Sequence, residues 1–393
     1  MRPVPQLTLP ADHPLYRLQR GALGVGGIAI VVCAALGIAA NDPTPLLRSY
    51  LVAYVFWTGL ALGCLGVLMI HHVTGGAWGM AIRRLLESGA RTLPLMALLF
   101  VPIALGLPRI YEWAQPEHVA HDPVLQHKAL YLNVPFFLGR AVVYFLAWIL
   151  MVRALTRWSL LQDTTTDPKP GARLELLSRG GLVLMVLTMS FAGIDWLMSL
   201  EPHWFSTIYG ILFIGGCGLS AFALMIPMAA LLANNPPVRG IIKVDQVADL
   251  GKLMLAFVML WAYFSFSQFL IIWSGNLPEE IPWYLKRTSN GWQYFAIFIV
   301  IFHFALPFAL LLSRSLKRSA AKLAAVAVAL IVVRMCDVFF LVQPVFRPEG
   351  FSIRMIDVAS LLGVGGLWIW FFVRQLEGRP LLPLRDPSVP VLE

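Results

Sequence analysis

The chain has 393 residues, of which 59% are hydrophobic and only 13% are charged, and its formal net charge is +9 at pH 7. A soluble domain carries about 25% charged residues, so this composition excludes an ordinary soluble protein and indicates a membrane protein. The basic residues are spread over short segments between apolar runs, which argues against a nucleic-acid-binding surface and for contact with membrane lipid.

Ten apolar runs are long enough to cross a membrane, because about 20 helical residues span the roughly 30 Å of hydrocarbon in a bilayer. The predicted spans are 21–40, 49–73, 93–113, 131–155, 179–200, 205–233, 250–274, 291–313, 320–343 and 355–375. We therefore predict an all-α polytopic membrane protein with about ten transmembrane helices.

The distribution of lysine and arginine predicts the orientation. Twenty-one of the 30 basic residues fall on the side that carries the N-terminus, and seven fall on the other side. Positively charged loops are retained in the cytoplasm, so we predict that both termini are cytoplasmic. The predicted parts are an N-terminal arm (1–20), an integral membrane domain (21–376) and a C-terminal tail (377–393).

A weak internal repeat divides the membrane domain into two. The segment GLALGCLGVLMI in the second span resembles GGCGLSAFALMI in the sixth. An Asp-x6-Pro pattern occurs twice, from Asp195 to Pro202 and from Asp337 to Pro344. These matches predict two four-helix bundles, 49–200 and 205–343, with the first and last spans flanking them.

The stretch GIDWLMSLEPHWFSTIYG, residues 193–210, places Asp195 inside a predicted span. An acid at the centre of a membrane helix costs about 2.5–3.5 kcal/mol on insertion scales, so it is expected to have a partner or a function. With a rise of about 1.5 Å per residue, Asp195 and Arg140 lie at similar depths in neighbouring spans, which predicts that they pair. Arg334 precedes Asp337 by three residues, close to one helical turn, which predicts a second pair.

Two interpretations of these pairs remain open. They are either structural ion pairs that lock the bundles, or proton-carrying acids whose protonation the arginines control.

His303 lies near the middle of the eighth span. It is either a hydrogen-bonded core histidine or part of a proton relay. The polar side chains expected near it form a hypothetical wet path between the bundles, and they are Tyr144, Tyr263, Ser265, Ser267 and Gln268.

His71 and His72 precede the glycine-rich VTGGAWG and the segment AIRRLLESGAR, which is typical of a short basic amphipathic helix on the inner membrane surface. The two histidines belong either to a plain anchor or to a proton uptake or release point. On the other side, Glu201 and His203 follow Asp195 at the edge of the fifth span.

The sequence offers no ligand set for a redox centre. The four cysteines lie singly in apolar runs without a Cys-x-x-Cys motif, which argues against disulfides, iron–sulfur clusters and structural zinc. A bis-histidine haem needs two histidines at matching depth on facing helices, and only His303 lies in mid-membrane. We expect no cofactor or metal bound by this chain.

Three long motifs, taken together, resemble one known family. They are HVTGGAWG with IRRLLESGARTLPLMALLF, then GIDWLMSLEPHWFSTIYG, then SGNLPEEIPWY. They are similar to the NrfD-like, or polysulfide-reductase, membrane subunits, and among these to the ActF-type subunit of bacterial alternative complex III. The resemblance runs from about residue 45 to residue 375.

The resemblance implies an integral subunit of a quinol:cytochrome c or quinol:oxidase electron-transfer complex in the bacterial inner membrane. It implies an NrfD-like sister subunit of the ActC type with the quinol site, and multihaem cytochrome c and iron–sulfur subunits that carry haem c and the clusters. For this chain it implies a proton-conducting role, with Asp195, Glu201, His203, His71 and His72 on the matching motifs. Arg140, His303, Arg334 and Asp337 are proton-path candidates on the depth argument alone.

Three functions therefore remain open. The first is a cofactor-free subunit of a quinol-oxidising complex, which conducts protons or completes a quinone pocket. The second is a secondary transporter, because a parallel repeat with polar groups at mid-depth suits one. The third is a purely structural scaffold that holds partner subunits.

Overall fold

The structure, a computed structural model, describes residues 7–384. Ten long apolar helices are found among these residues, and the described part of the chain contains no strand. In chain order they are α1 (Pro14–Ala39), α2 (Thr44–Thr74), α3 (Arg83–Leu105), α4 (Val134–Thr164), α5 (Lys169–Leu200), α6 (Tyr209–Asn234), α7 (Val244–Gly275), α8 (Trp292–Leu312), α9 (Ala320–Phe346) and α10 (Met355–Arg374). The prediction of an all-α polytopic membrane protein with ten spans is confirmed.

The third span is the one whose predicted position is most in error. The predicted run was 93–113, whereas α3 begins at Arg83 and ends at Leu105. The charged residues in the first turn of α3 lower its mean hydropathy, so that turn was left out of the predicted span. The turn is nevertheless buried, because its charged side chains pair with one another, as described below. Gly106 ends the helix, and short helical turns and a loop follow as far as Asn133.

The helix neighbours repeat between the two halves of the chain. Helix α2 packs against α3 and α5, and α6 packs in the same way against α7 and α9. Helices α4 and α8 each complete a group of four by packing against the helices that precede and follow them. The two predicted four-helix bundles, α2–α5 and α6–α9, are therefore present.

The bundles meet along α2 and α6, which are the most buried of the long helices. A Cβ placed on Gly63 would lie 1.9 Å from the carbonyl oxygen of Cys217, so the two backbones touch at this point. Small residues allow such close approach between membrane helices. The central contact thus depends on glycine in α2.

The flanking helices α1 and α10 pack chiefly against each other, and α10 also packs against α2. At their crossing, a Cβ on Gly26 would lie 2.8 Å from the Cα of Gly366. Ten crossings bring the start of α1 and the end of α10 to the same side, which we call the terminal face. The opposite side, where α5 ends and α6 begins, is called the distal face.

Candidate functional site

Asp195 lies near the distal end of α5 and is fully buried. Arg140 of α4 donates two hydrogen bonds to its carboxylate, from Nε to Oδ2 and from Nη2 to Oδ1, each 2.8 Å long. The hydroxyl of Tyr144, one turn further along α4, donates to Oδ2 at 2.8 Å. The predicted pairing of Arg140 with Asp195 is confirmed, and its bidentate geometry is the strong form of this ion pair.

Aromatic side chains hold the other face of Arg140. Its guanidinium carbon lies 3.8 Å from the ring centroid of Tyr131 and 4.5 Å from that of Phe136. Nη1 also donates to the Tyr131 carbonyl oxygen at 3.0 Å. The two rings and the Tyr131 carbonyl therefore hold the guanidinium in place, with its remaining N–H groups oriented toward Asp195.

Asp337 occupies the corresponding place in the second bundle. Arg334, one turn earlier on α9, forms an ion pair with its Oδ2, as the spacing predicted. Trp261 of α7 donates from Nε1 to the same oxygen at 3.0 Å. A Cβ on Gly216 of α6 would lie 2.2 Å from Arg334 Nη2, so the guanidinium packs directly against glycine backbone.

His303 approaches Asp337 from α8. Its Nδ1 lies 4.0 Å from Asp337 Oδ2, and its ring packs edge-on against Trp261 with the centroids 4.1 Å apart. The side chain is fully buried, and neither ring nitrogen has a hydrogen-bond partner within residues 7–384. The surrounding turn, Val300–Ala305, is a π-helix, a rare feature that is frequently found at functional sites.

Three of the neighbours expected around His303, Tyr144, Tyr263 and Gln268, have other surroundings. Tyr144 instead binds Asp195 in the other bundle, and the exposed fraction of Tyr263 is 64%, so it faces away from the protein interior. Gln268 accepts a hydrogen bond from Ser206 near the distal face. Trp261, Arg334 and Asp337 are polar residues that do lie close to His303.

The two acid sites share a plan but differ in detail. Each has a buried aspartate from the fourth helix of its bundle, an arginine, and a polar aromatic side chain from the third helix, Tyr144 or His303. In the first bundle the Tyr144 hydroxyl donates a hydrogen bond to Asp195. In the second bundle His303 Nδ1 lies 4.0 Å from Asp337 Oδ2, which is too far for a hydrogen bond. The second site therefore has, beside its carboxylate, an imidazole without a hydrogen-bond partner among the described residues.

Glu201 and His203, which follow Asp195 in the sequence, bind other residues. Glu201 accepts hydrogen bonds from Lys286 Nζ and Arg287 Nη1, both at 2.8 Å. Arg287 is buried over the Trp283 ring and also donates to the Leu341 carbonyl oxygen. Glu201 thus anchors the loop between α7 and α8 to the end of α5.

His203 lies at the distal surface, where 54% of its side chain is exposed. Its Nε2 is 2.7 Å from Asp122 Oδ2, and the backbone amides of Val124 and Leu125 donate to Asp122 Oδ1. Partial desolvation would raise the pKa of Asp122, but the Leu125, His203 and Val124 contacts outweigh it and lower that pKa. This pair is a surface contact, apart from the buried acids.

At the terminal face, His71 is buried and packs edge-on against Trp78, with the ring centroids 5.0 Å apart. A Cβ on Gly79 would lie 2.0 Å from the His71 ring, so the last glycine of HVTGGAWG makes room for this imidazole. His72 Nδ1 lies 3.0 Å from the Ser178 hydroxyl on α5. The two histidines join α2 to different neighbours.

The prediction of a surface amphipathic helix after these histidines was wrong, because every residue of Arg83–Ala90 is buried. Arg84 forms ion pairs with Glu87, at 2.6 Å, and with Asp163 of α4. Arg83 donates to the Ser159 hydroxyl, which in turn donates to Glu87. The segment is a buried charge network between α3 and α4, not a helix on the membrane surface.

Sequence reasoning missed this network, although Arg-Arg-x-x-Glu places the charges on one helix face at the spacing of ion pairs. The C-terminal segment completes it, since the backbone N–H of Leu384 donates to Asp163 Oδ1 at 2.9 Å. The segment around Leu384 therefore contacts a charged site formed much earlier in the sequence.

No model of a known protein family matches this chain. A search of curated proteins also finds no match. The fold and the buried acids define a polytopic α-helical membrane protein with two quasi-equivalent acid–arginine sites inside its membrane-spanning part.

Proposed function

We propose that this chain is a cofactor-free integral membrane subunit of a respiratory quinol-oxidising electron-transfer complex of the alternative complex III type. In this proposal its buried acid–arginine sites support proton translocation. Its partners would be an NrfD-like sister subunit, a multihaem cytochrome c and an iron–sulfur subunit, which carry the redox centres. Its location would be the bacterial inner membrane, with both termini in the cytoplasm.

The observation that carries the proton-transfer role is the placement of His303 against Asp337. An ionisable residue inside a membrane-spanning bundle is by default a candidate for a functional site. His303 is buried without a hydrogen-bond partner among the described residues, and its Nδ1 lies 4.0 Å from the acid. A purely structural histidine would be expected to satisfy its ring nitrogens.

The chemistry follows from the charges around Asp337. When the carboxylate is ionised, Arg334 and Trp261 stabilise it by an ion pair and a hydrogen bond. A proton arriving at Asp337 would weaken its attraction to Arg334 and leave that guanidinium short of a counter-charge. A proton moving between His303 and Asp337 would therefore change the charge balance of the whole site. A subunit that couples proton translocation to quinol oxidation needs a site whose charge changes in this way.

The Asp195 site favours the scaffold alternative for the first bundle. Its carboxylate oxygens already accept hydrogen bonds from Arg140 and Tyr144, so Asp195 is held more firmly than Asp337. We therefore assign the proton-transfer role chiefly to Asp337 and His303, and a locking role to Arg140 and Asp195. No contact among residues 7–384 favours quinone binding by this chain over the proton-transfer role.

The first experiment identifies the neighbouring polypeptides in a membrane complex purified through this chain. Co-purification with a multihaem cytochrome c, an iron–sulfur protein and a second ten-span subunit supports the proposal. A chain that purifies alone and carries a solute across vesicle membranes is a secondary transporter, and the proposal is then wrong.

The second experiment compares Asp337→Asn with Asp249→Asn in the purified complex. Asp249 is an acid near the terminal face with an exposed lysine partner, Lys252, so its variant controls for loss of a carboxylate. Asp337→Asn should keep the assembled complex but lower proton release per quinol oxidised. Unchanged proton release in an assembled Asp337→Asn complex would leave only the scaffold role.

A further inference from the structure

A cavity of about 350 Å³ opens near the terminal face between α3, α4 and α10. Four arginines line it: Arg91 from α3, Arg153 and Arg157 from α4, and Arg379 from the segment after α10. This cavity, which we call the arginine cleft, is separate from both buried acid sites. Its volume is within the range of small-molecule sites, about 300–1,000 Å³.

The arginine cleft has an excess of positive charge. Within residues 7–384, none of its four arginines forms an ion pair with an acidic side chain. Arg91 donates from Nη1 to the Gln375 carbonyl oxygen at 3.2 Å, which satisfies one donor but supplies no counter-charge. Glu87 lies close enough to attract Arg91 and Arg379, but it is already bound by Arg84 and Ser159.

Such an arrangement is unfavourable without an anion. Arg153 and Arg157 are four residues apart on one helix, where like charges repel. Arg91 and Arg379 are half-buried, so water screens their repulsion less than it would at the surface. Arginine is also the side chain best suited to bind phosphate, through its planar fork of donors.

The walls of the cleft are apolar, with Pro94, Ile149, Val152 and Phe371 beneath the charges. Leu98 of α3 lies one turn below Pro94, and Leu146 and Leu150 of α4 lie within two turns below Arg153. The exposed fractions of Leu98, Leu146 and Leu150 are 66%, 55% and 59%. These leucines face outward from the bundle at membrane depth. A ligand in the cleft would thus meet arginines at the membrane edge and an apolar, lipid-facing surface below them.

We propose that the arginine cleft binds an anionic glycerophospholipid, with its phosphate held between Arg91 and Arg379 and its acyl chains lying along Leu98, Leu146 and Leu150. Arg153 and Arg157 flank the headgroup on the outer side. Basic pockets between transmembrane helices are suited to anionic lipid headgroups. The apolar wall favours a lipid over a soluble phosphate or an acidic peptide, because only a lipid uses both parts of the site. This inference does not depend on the proposed respiratory function.

The test measures lipid binding to the full-length chain, purified with the subunits that accompany it. Native mass spectrometry would titrate dioleoylphosphatidylglycerol and, separately, zwitterionic dioleoylphosphatidylcholine. The double variant Arg91→Gln/Arg379→Gln is compared with Arg239→Gln/Arg314→Gln, which removes two exposed arginines from the loops of the same face. We expect the cleft variant to bind phosphatidylglycerol at least about tenfold more weakly, with phosphatidylcholine unaffected and the control variant like the wild type.

Two further measurements distinguish a lipid from a soluble anion as the ligand of the cleft. Inorganic phosphate or poly-glutamate that displaces phosphatidylglycerol at equal anion concentration would show a soluble-anion or acidic-peptide site, and the lipid proposal would be overturned. An unchanged phosphatidylglycerol affinity in the cleft variant would overturn it as well. If the Arg91→Gln/Arg379→Gln chain does not fold, Arg153→Gln/Arg157→Gln changes only exposed side chains, and it must show the same selective loss.

Discussion

Gly216 and Arg334 are in direct contact across the α6–α9 interface, and a Cβ on Gly216 would lie 2.2 Å from the arginine Nη2. The guanidinium that pairs with Asp337 therefore depends on a glycine in another helix. The chain can hold this charge in its interior only where the facing helix lacks a side chain.

Gly216→Ala is expected to displace Arg334 and weaken its ion pair with Asp337. Overpacking alone costs about 1–3 kcal/mol, and disturbance of a buried ion pair adds to that. Thermal unfolding of the purified protein in detergent would measure the loss. Gly180→Ala is the matched control, since nothing lies within 4 Å of a Cβ at that exposed helical position, and equal midpoints for the two variants would contradict the prediction.

Arg140→Gln is expected to destabilise the first bundle by about 3–5 kcal/mol, because it leaves the buried Asp195 carboxylate without its counter-charge. Tyr144→Phe removes a single hydrogen bond to the same charged group and is expected to cost less, about 1.5–3 kcal/mol. Chemical unfolding would rank the two variants. The double variant Arg140→Gln/Asp195→Asn should be more stable than Arg140→Gln alone, and a further loss in its place would rule out the charge explanation.

His303→Phe separates a functional histidine from a structural one. Phenylalanine fills a similar space against Trp261 and removes two buried nitrogens that lack partners among the described residues, so stability should be kept or raised. Proton release per quinol should nevertheless fall if the proposed role of His303 is correct. A marked loss of stability would instead show that the imidazole is bonded in the folded protein.

The Asp122 contact predicts a pH dependence at the distal face. Its pKa in the folded chain is lowered, so its stabilising contribution is fully present above the ordinary aspartate pKa of about 3.9 and is lost as the pH falls through the folded value. Hydrogen exchange of the amides at Val124 and Leu125 should therefore speed up on acidification below that range, after correction for the intrinsic rate. Asp122→Ala should remove this acid transition, whereas Glu117→Gln in the neighbouring turn should keep it.

The sequence predicted the ten helices and the partner of Asp195 for the same reason. Apolar length fixes how many times the chain crosses, and the fixed rise of a helix fixes the depth of each residue. The equal depth of Arg140 and Asp195 in neighbouring spans was enough to predict that they pair. The Arg334–Asp337 pair needed only the spacing along one helix.

The sequence did not predict features that depend on the rotation of a helix about its axis. Tyr263 was placed near His303 but faces outward, because facing is set by contacts with other helices. The π-helix at Val300–Ala305 changes the facing of α8 again by widening one turn. The Glu201–Arg287 pair joins residues from distant loops, for which neither depth nor spacing gives a signal.

The hydrogen bond from the Leu384 backbone to Asp163 joins residues 221 positions apart, and this has a consequence for biogenesis. A chain made from its N-terminus inserts α3 and α4 long before Leu384 leaves the ribosome. The Arg84–Asp163 ion pair therefore forms without the hydrogen bond from Leu384 until that residue has been synthesised. A change that displaces the segment around Leu384 would leave the first bundle folded but would remove this backbone hydrogen bond from the Asp163 carboxylate.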